Sequence, residues 1–140
     1  MYLNHFSAIR AKKNTTNLGY IKNFERAIGI ANGEFISLSD QDDIWDLRKL
    51  ELMQQRIQDH SMAYSDSEMI DENGFTLNKK MSTLKFLSDI NTPAILMTDN
   101  CIAGHATLFT KELFINAQPF PIQIPHDWWL AFIATLYNKI

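Results

Sequence analysis

One cysteine, Cys101, is present in the 140 residues, so no disulfide can form within the chain. Its bland role is that of a small buried apolar residue. No basic run is longer than a pair such as Lys12-Lys13 or Lys79-Lys80, and the net charge is −3. A nucleic-acid binder normally carries a basic patch, so no nucleic-acid partner is expected. The longest apolar stretch, Trp128 to Tyr137, reaches about half of the roughly 20 residues that a membrane-spanning helix needs. The opening Met1-Tyr2-Leu3-Asn4-His5-Phe6 lacks the apolar core of a secretion signal. Together these absences favour a reduced, cytoplasmic setting, with peripheral contact at the inner face of a membrane left open. Repeats and low-complexity tracts are absent too. What is present, 46% hydrophobic residues, is enough for the packed core of one domain.

The apolar spacing alternates helix and strand. Asn17-Leu18-Gly19 is a turn signal, and Ile21, Phe24, Ala27, Ile28 and Ala31 then share one face of a predicted helix from Tyr20 to Ala31. Asn32-Gly33 stops it. The run Glu34 to Ser39 reads as a strand. Asp46 is placed to cap a helix from Leu47 to about Gln58, buried through Leu47, Leu50, Met53 and Ile57. Ser61 to Ser65 reads as a second strand and Asp71 to Gly74 as a turn. Lys85 to Asp89 is expected to be helical. A third strand is predicted over Ile102 to Phe109, with Gly104 inside it, and Thr110 caps a short helix ending at Ala117. Asp127 opens the last helix, to about Asn138. Such alternation indicates the α/β class, with a mostly parallel or mixed sheet and ligands at strand carboxyl ends.

The chemistry concentrates after the first of these strands. Asp40, Asp42 and Asp43 place three carboxylates within four positions. In extended chain, residues two apart point to the same side, so Asp40 and Asp42 are expected to face one cation. Mg²⁺ or Mn²⁺ suits such a site, because Mg²⁺ takes one or two carboxylates and completes its shell with phosphates and water. From spacing alone, a solvated acidic turn is an equal reading.

The wider pattern is more specific. The residues Asn17 to Ala27, Gly33-Glu34-Phe35-Ile36, Ser39-Asp40-Gln41-Asp42-Asp43-Ile44-Trp45 and Lys49-Leu50 resemble family 2 glycosyltransferases of the GT-A type, and the bacterial rhamnosyltransferase-like subgroup in particular. Tyr64-Ser65-Asp66, the N-x-x-x-G-H segment Asn100 to His105, Pro119-Phe120-Pro121 and His126-Asp127-Trp128-Trp129-Leu130 follow in the order that this subgroup has them. The matches span about Asn17 to Leu136.

The resemblance implies a partial GT-A fold and a metal-dependent, inverting transfer of a sugar from a nucleotide-diphosphate donor, such as a dTDP- or UDP-sugar. The acceptor would be a saccharide or lipid-linked hydroxyl in bacterial cell-surface polysaccharide assembly. Asp42 and Asp40 would hold the metal, with Asp42 the more direct ligand. Asp40, Asp42, Asp43, Asn17 and Gly19 would meet the donor, and Asp127 would be the catalytic base. Gly104, His105, His126, Trp128 and Asp66 are candidates for the acceptor site. Each has a plainer reading: a helix cap for Asp127, core packing for Trp128, hydrogen-bonded structural groups for the histidines, and a turn acid for Asp66.

One element of the family pattern does not appear. The family's domain opens with a β-α-β unit carrying an acidic D-D-G-S-type segment, and nothing like it precedes Asn17. The expectation is therefore one partial, N-terminally truncated domain over 1–140, with an atypical start (1–16), a donor and metal half (17–66) and an acceptor and base half (90–140), and with weak activity alone. The alternatives are a non-catalytic remnant or binding module of the same fold, and a phosphatase using Asp40 as nucleophile. Against the phosphatase, Asp43-Ile44-Trp45 stands where such enzymes usually have Thr or Val soon after the second Asp.

Overall fold

The computed structural model describes residues 10–85, 87–90, 92–98, 100–137 and 140. Helix α1 (Gly19–Ile30) leads to strand β1 (Phe35–Ser37), helix α2 (Lys49–Ile57) and strand β2 (Met62–Tyr64). A hairpin of β3 (Glu68–Ile70) and β4 (Thr76–Lys80) follows, then short helices α3 (Met81–Leu84) and α4 (Pro93–Thr98). A 3-10 turn (Gly104–Ala106), strand β5 (Thr107–Thr110) and helices α5 (Lys111–Ala117) and α6 (His126–Tyr137) complete it.

The expected α/β alternation is present as small sheets flanked by helices. β5 lies between β1 and β2 and runs antiparallel to both, with Ile36 opposite Phe109 and Ala63 opposite Leu108. Side chains on a strand alternate between faces, and β5 uses both. Phe109, with no exposure, joins a cluster with Ile28, Ile36, Met62, Leu113, Phe120 and Leu130. Leu108 points the other way, onto Met53 and Ile57 of α2. Burying a residue such as Phe109 is worth about 1.5–3 kcal/mol. The centre of the sheet is thus held from two sides, and the ends of β1 and β2 emerge together at one edge.

Several local readings shift. Gly104 is not inside a strand. Ile102 to Ala103 is irregular, Gly104 begins the 3-10 turn, and Thr107 Oγ1 donates to the Gly104 carbonyl at 2.7 Å. Asp46 does not cap α2 directly; its carboxylate accepts from the Arg48 N–H at 2.8 Å, one turn ahead of the helix. Lys85 to Asp89 is not helical in its described residues, because the chain turns extended at Lys85. The β3–β4 hairpin flanks the expected Asp71–Gly74 turn, and its second strand is exposed throughout. Thr110 does cap α5, accepting from the Leu113 N–H at 3.1 Å. The expected end of the last helix at Asn138 lies outside the described residues.

Two long-range clamps set the frame of the site. Lys111 Nζ donates to the carbonyls of Ile28 and Ala31, at 2.7 and 3.1 Å, closing the C-terminus of α1. Lys22 donates to the Phe120 carbonyl at 2.7 Å, while Glu25 accepts from the Phe120 N–H at 2.9 Å. These bonds fix α1 against the loop that leads into α6.

Candidate active site

After β1 the chain leaves the sheet and turns through Gln41 and Asp42. That turn breaks the two-residue alternation of an extended segment. It brings together Asp40 and Asp43, three apart, and leaves Asp42 exposed on the wall of the adjoining cleft. The third member of the group comes from the segment that enters β5, the strand paired with β1. His105, in the 3-10 turn just before β5, directs Nδ1 at Asp40 Oδ2 (3.7 Å) and at Asp43 Oδ2 (3.8 Å). One ligand atom from each of the three residues lies within 4.8 Å of the others.

These residues fit a divalent cation. Asp43 Oδ2 is buried and has no hydrogen-bond partner, a costly state for a carboxylate oxygen. The two contacts to His105 are too long for hydrogen bonds. Two ligand bonds of about 2.1 Å span about 4.2 Å end to end, which covers both gaps. The donor set, two carboxylates and an imidazole, is one that Mg²⁺ or Mn²⁺ accepts, with Mn²⁺ the more tolerant of nitrogen.

The His105 ring and backbone are both held. Ser67 Oγ lies 3.1 Å from Nε2, and Lys49 Nζ donates to the His105 carbonyl. The same ammonium sits 3.8 Å above the Trp45 ring. Burial pushes Lys49 below its ordinary value, and the nearby Asp43 carboxylate opposes that shift. Asp42, Asp43, Trp45, Lys49, Ser67 and His105 line one side of a cleft of about 500 Å³.

On the other side of the Gly104 turn stands the start of α6. Asp127 Oδ2 accepts from the Gly104 N–H at 3.1 Å, and Oδ1 accepts from the Trp128 N–H at 2.8 Å. The fit is close because residue 104 has no side chain. A Cβ there would lie 3.2 Å from His126 Nε2 and 3.4 Å from Asp127 Cβ. His126 is buried, stacked on Phe24 at 4.0 Å between ring centres, with Tyr20 against its edge. Its Nδ1 has no partner. Burial lowers its pKa, and Asp127 and Asp40 only partly restore it. Burial thus favours the neutral form of His126.

The other sequence candidates lie as follows. Asn17 accepts from the Gly19 N–H at 2.9 Å, and Gly19 takes a φ of 72°, the left-handed region that glycine enters freely. Both are exposed, at the α1 terminus that brings Tyr20 to His126. Trp128 gives its indole N–H to the Leu96 carbonyl and packs against the core. Asp66 binds the root of the hairpin, accepting from Ser82 Oγ at 2.6 Å, the Ser82 N–H at 3.0 Å and the Ser67 N–H at 2.9 Å. Burial acts to raise Asp66, but these hydrogen bonds outweigh it and hold the carboxyl below its usual value. Ser67 was not a candidate from the sequence, and nothing in its neighbours marks it. His105 was expected at the acceptor; the ligand chemistry of its side chain was the available sign that it joins the aspartates.

The family model for glycosyl transferase family 2 matches residues 1–117. The chain belongs to this family. The glycosyltransferase domain so matched contains Asp40, Asp43 and His105, whereas His126 and Asp127 lie beyond the matched residues and reach the site through the fold. No curated protein and no solved structure gives a significant match. Among the described residues, no helix is long and apolar enough to cross a membrane.

Proposed function

We propose that this glycosyltransferase domain moves a sugar from a nucleotide-diphosphate donor to an acceptor hydroxyl with inversion at the anomeric carbon. The observation that carries the reading is the meeting at one turn of two groups from distant parts of the chain. Asp40, Asp43 and His105 form a cation-type cluster, and Asp127 is hydrogen-bonded to the residue next to His105.

Asp40, Asp43 and His105 would hold a divalent cation, with Asp42 facing the donor from the cleft wall. Such a cation neutralises charge developing on the leaving nucleoside diphosphate. Asp127 takes the proton of the acceptor hydroxyl, and that oxygen bonds to the anomeric carbon. The bond from that carbon to the diphosphate oxygen breaks, and its electron pair leaves with the diphosphate. Two N–H groups aim the Asp127 carboxylate, one on each oxygen, and each oxygen keeps capacity for a further bond. A base held this way does not need to reorient during the reaction. His126, buried beside it and favoured in its neutral form, leaves the Asp127 charge unpaired. The family and the subgroup resemblance together favour a UDP- or dTDP-sugar donor, a saccharide or lipid-linked acceptor, and a place in cell-surface polysaccharide assembly at the inner membrane face.

The test compares wild type with Asp127→Asn for release of nucleoside diphosphate from a panel of UDP- and dTDP-sugars with Mn²⁺ and acceptor, and for equilibrium donor binding. The variant should bind donor normally and transfer about 10²–10⁴-fold more slowly. Near-normal transfer combined with a lower melting temperature would mean that Asp127 only supports α6.

A further inference from the structure

We propose that the Ser67 hydroxyl holds the His105 ring on the cluster and partners it in either tautomer, and so supports the affinity of the cluster for its cation, an inference that rests on the cation site proposed above. A neutral imidazole has one N–H and one bare nitrogen. His105 Nδ1 faces two carboxylates at 3.7 and 3.8 Å. Without a cation, the favourable tautomer carries the proton on Nδ1, pointing at those carboxylates. With a cation, Nδ1 must be bare, so the proton must sit on Nε2.

The group at Nε2 decides how easily that exchange occurs. It is Ser67 Oγ, at 3.1 Å. A hydroxyl donates or accepts. It can donate to Nε2 in the empty state and accept from Nε2–H in the loaded state, with no movement beyond rotation of its own O–H. A carboxylate in its place would force the loaded tautomer at all times, and a methyl group would support neither.

The contact is imposed by the backbone. The Ser67 N–H is held by Asp66 at 2.9 Å, and the Ser67 carbonyl accepts from the Met81 N–H at 2.8 Å. On the other side, Lys49 holds the His105 carbonyl and the Ser65 N–H donates to the Ala106 carbonyl at 2.9 Å. The root of the β3–β4 hairpin and the 3-10 turn are thus fixed to each other through the end of β2. Ser67 is a positioning residue: it acts through His105.

The experiment uses the 140-residue protein at pH 8. Mn²⁺ affinity is measured by calorimetry for wild type, Ser67→Ala, Ser67→Thr and His105→Ala. The ¹⁵N signals of the His105 ring are followed as Mg²⁺ is added. Partners of a metal-ligating histidine typically contribute 10–100-fold in metal affinity. Ser67→Ala should therefore bind Mn²⁺ about 10–100-fold more weakly, and Ser67→Thr, which keeps the hydroxyl, should bind as wild type does. Mg²⁺ should move the ring proton from Nδ1 to Nε2 in wild type. If His105→Ala loses Mn²⁺ binding while Ser67→Ala retains it in full, the role of Ser67 is overturned and the cation site stands. If His105→Ala binds Mn²⁺ as tightly as wild type, the cation site itself is overturned. Should Ser67→Ala loosen the hairpin, the wild-type ring signals decide alone, since a bare Nε2 in the Mg²⁺-saturated protein contradicts the proposal.

Discussion

Replacing Asp40 by Asn should raise the stability of the metal-free protein while removing its response to a cation. The opposite signs follow from the cluster. The ligand atoms of Asp40, Asp43 and His105 lie within 4.8 Å of one another, so the two carboxylates repel by at least about 0.9 kcal/mol at the dielectric constant of water and about 3.5 kcal/mol at an effective value of 20. The Asp40 side chain is 48% exposed, so the lower figure applies. For a domain of this size, about 0.9 kcal/mol corresponds to a rise of roughly 2–5 °C in melting temperature. The wild type gains about 2.7 kcal/mol when the cation is at 100 times its dissociation constant. Asp40→Asn forfeits most of that gain. The assay is thermal melting of wild type, Asp40→Asn and Asp42→Asn across a Mn²⁺ series at low salt, because salt screens the repulsion. Asp42→Asn should keep the Mn²⁺-dependent rise, since Asp42 stands outside the converged group. A lower metal-free melting temperature for Asp40→Asn, or an undiminished Mn²⁺ response, would refute the reasoning.

Gly104→Ala should slow transfer by roughly tenfold with donor affinity unchanged, because the added methyl group must displace His126 and Asp127 by a few tenths of an ångström and misplacement of about 1 Å costs on the order of 100-fold; steady-state kinetics with separate donor-binding measurements check this. His126 has a folded pKa below its unfolded value, so the unfolded chain binds the extra proton first and stability falls as pH drops from about 6.5 toward the folded value. Melting temperatures from pH 7.5 to 5 should show a shallower loss for His126→Gln than for wild type. Lys111→Met should lower stability by about 1–3 kcal/mol through uncapping of α1, read by denaturant unfolding.

The first half of the chain was legible because its signals are local. α1 and α2 show helical spacing ended by Gly33 and preceded by Asp46, and β1 is a short apolar run, although α2 starts at Lys49 and Leu47 and Leu50, read as buried, are exposed, leaving Met53 and Ile57 as its buried face. Thr110 was readable as a cap for the same reason. The β3–β4 hairpin was not, because β4 buries no side chain and so shows no alternation of apolar and polar residues. Helix α4 is a short apolar segment opened by Pro93, and its length falls below what periodicity resolves. At the site, the acidic run was visible, but its partners depended on a turn. Extended geometry pairs Asp40 with Asp42, while the turn at Gln41 and Asp42 pairs Asp40 with Asp43. His105 reaches them only because β5 pairs with β1, a contact across about 70 residues that no local pattern encodes.

The root of the hairpin has a consequence for how such a domain diversifies. Asp66 grips Ser82, and the Ser67 carbonyl meets the Met81 N–H, so the two ends of residues 68–80 are stitched together below the hairpin. The segment beyond that stitch adds nothing to the buried core, yet Glu68, Ile70 and Gly74 line the cleft opposite Asp42 and Ile44. It is a cassette. Its length and side chains can be rewritten by insertion, deletion or exchange between lineages while the strands and the aspartates beneath it stay in register, because loop tips with closed roots tolerate such changes. Selection for a new sugar partner can therefore act on thirteen surface positions without reopening the folding problem for the rest of the chain.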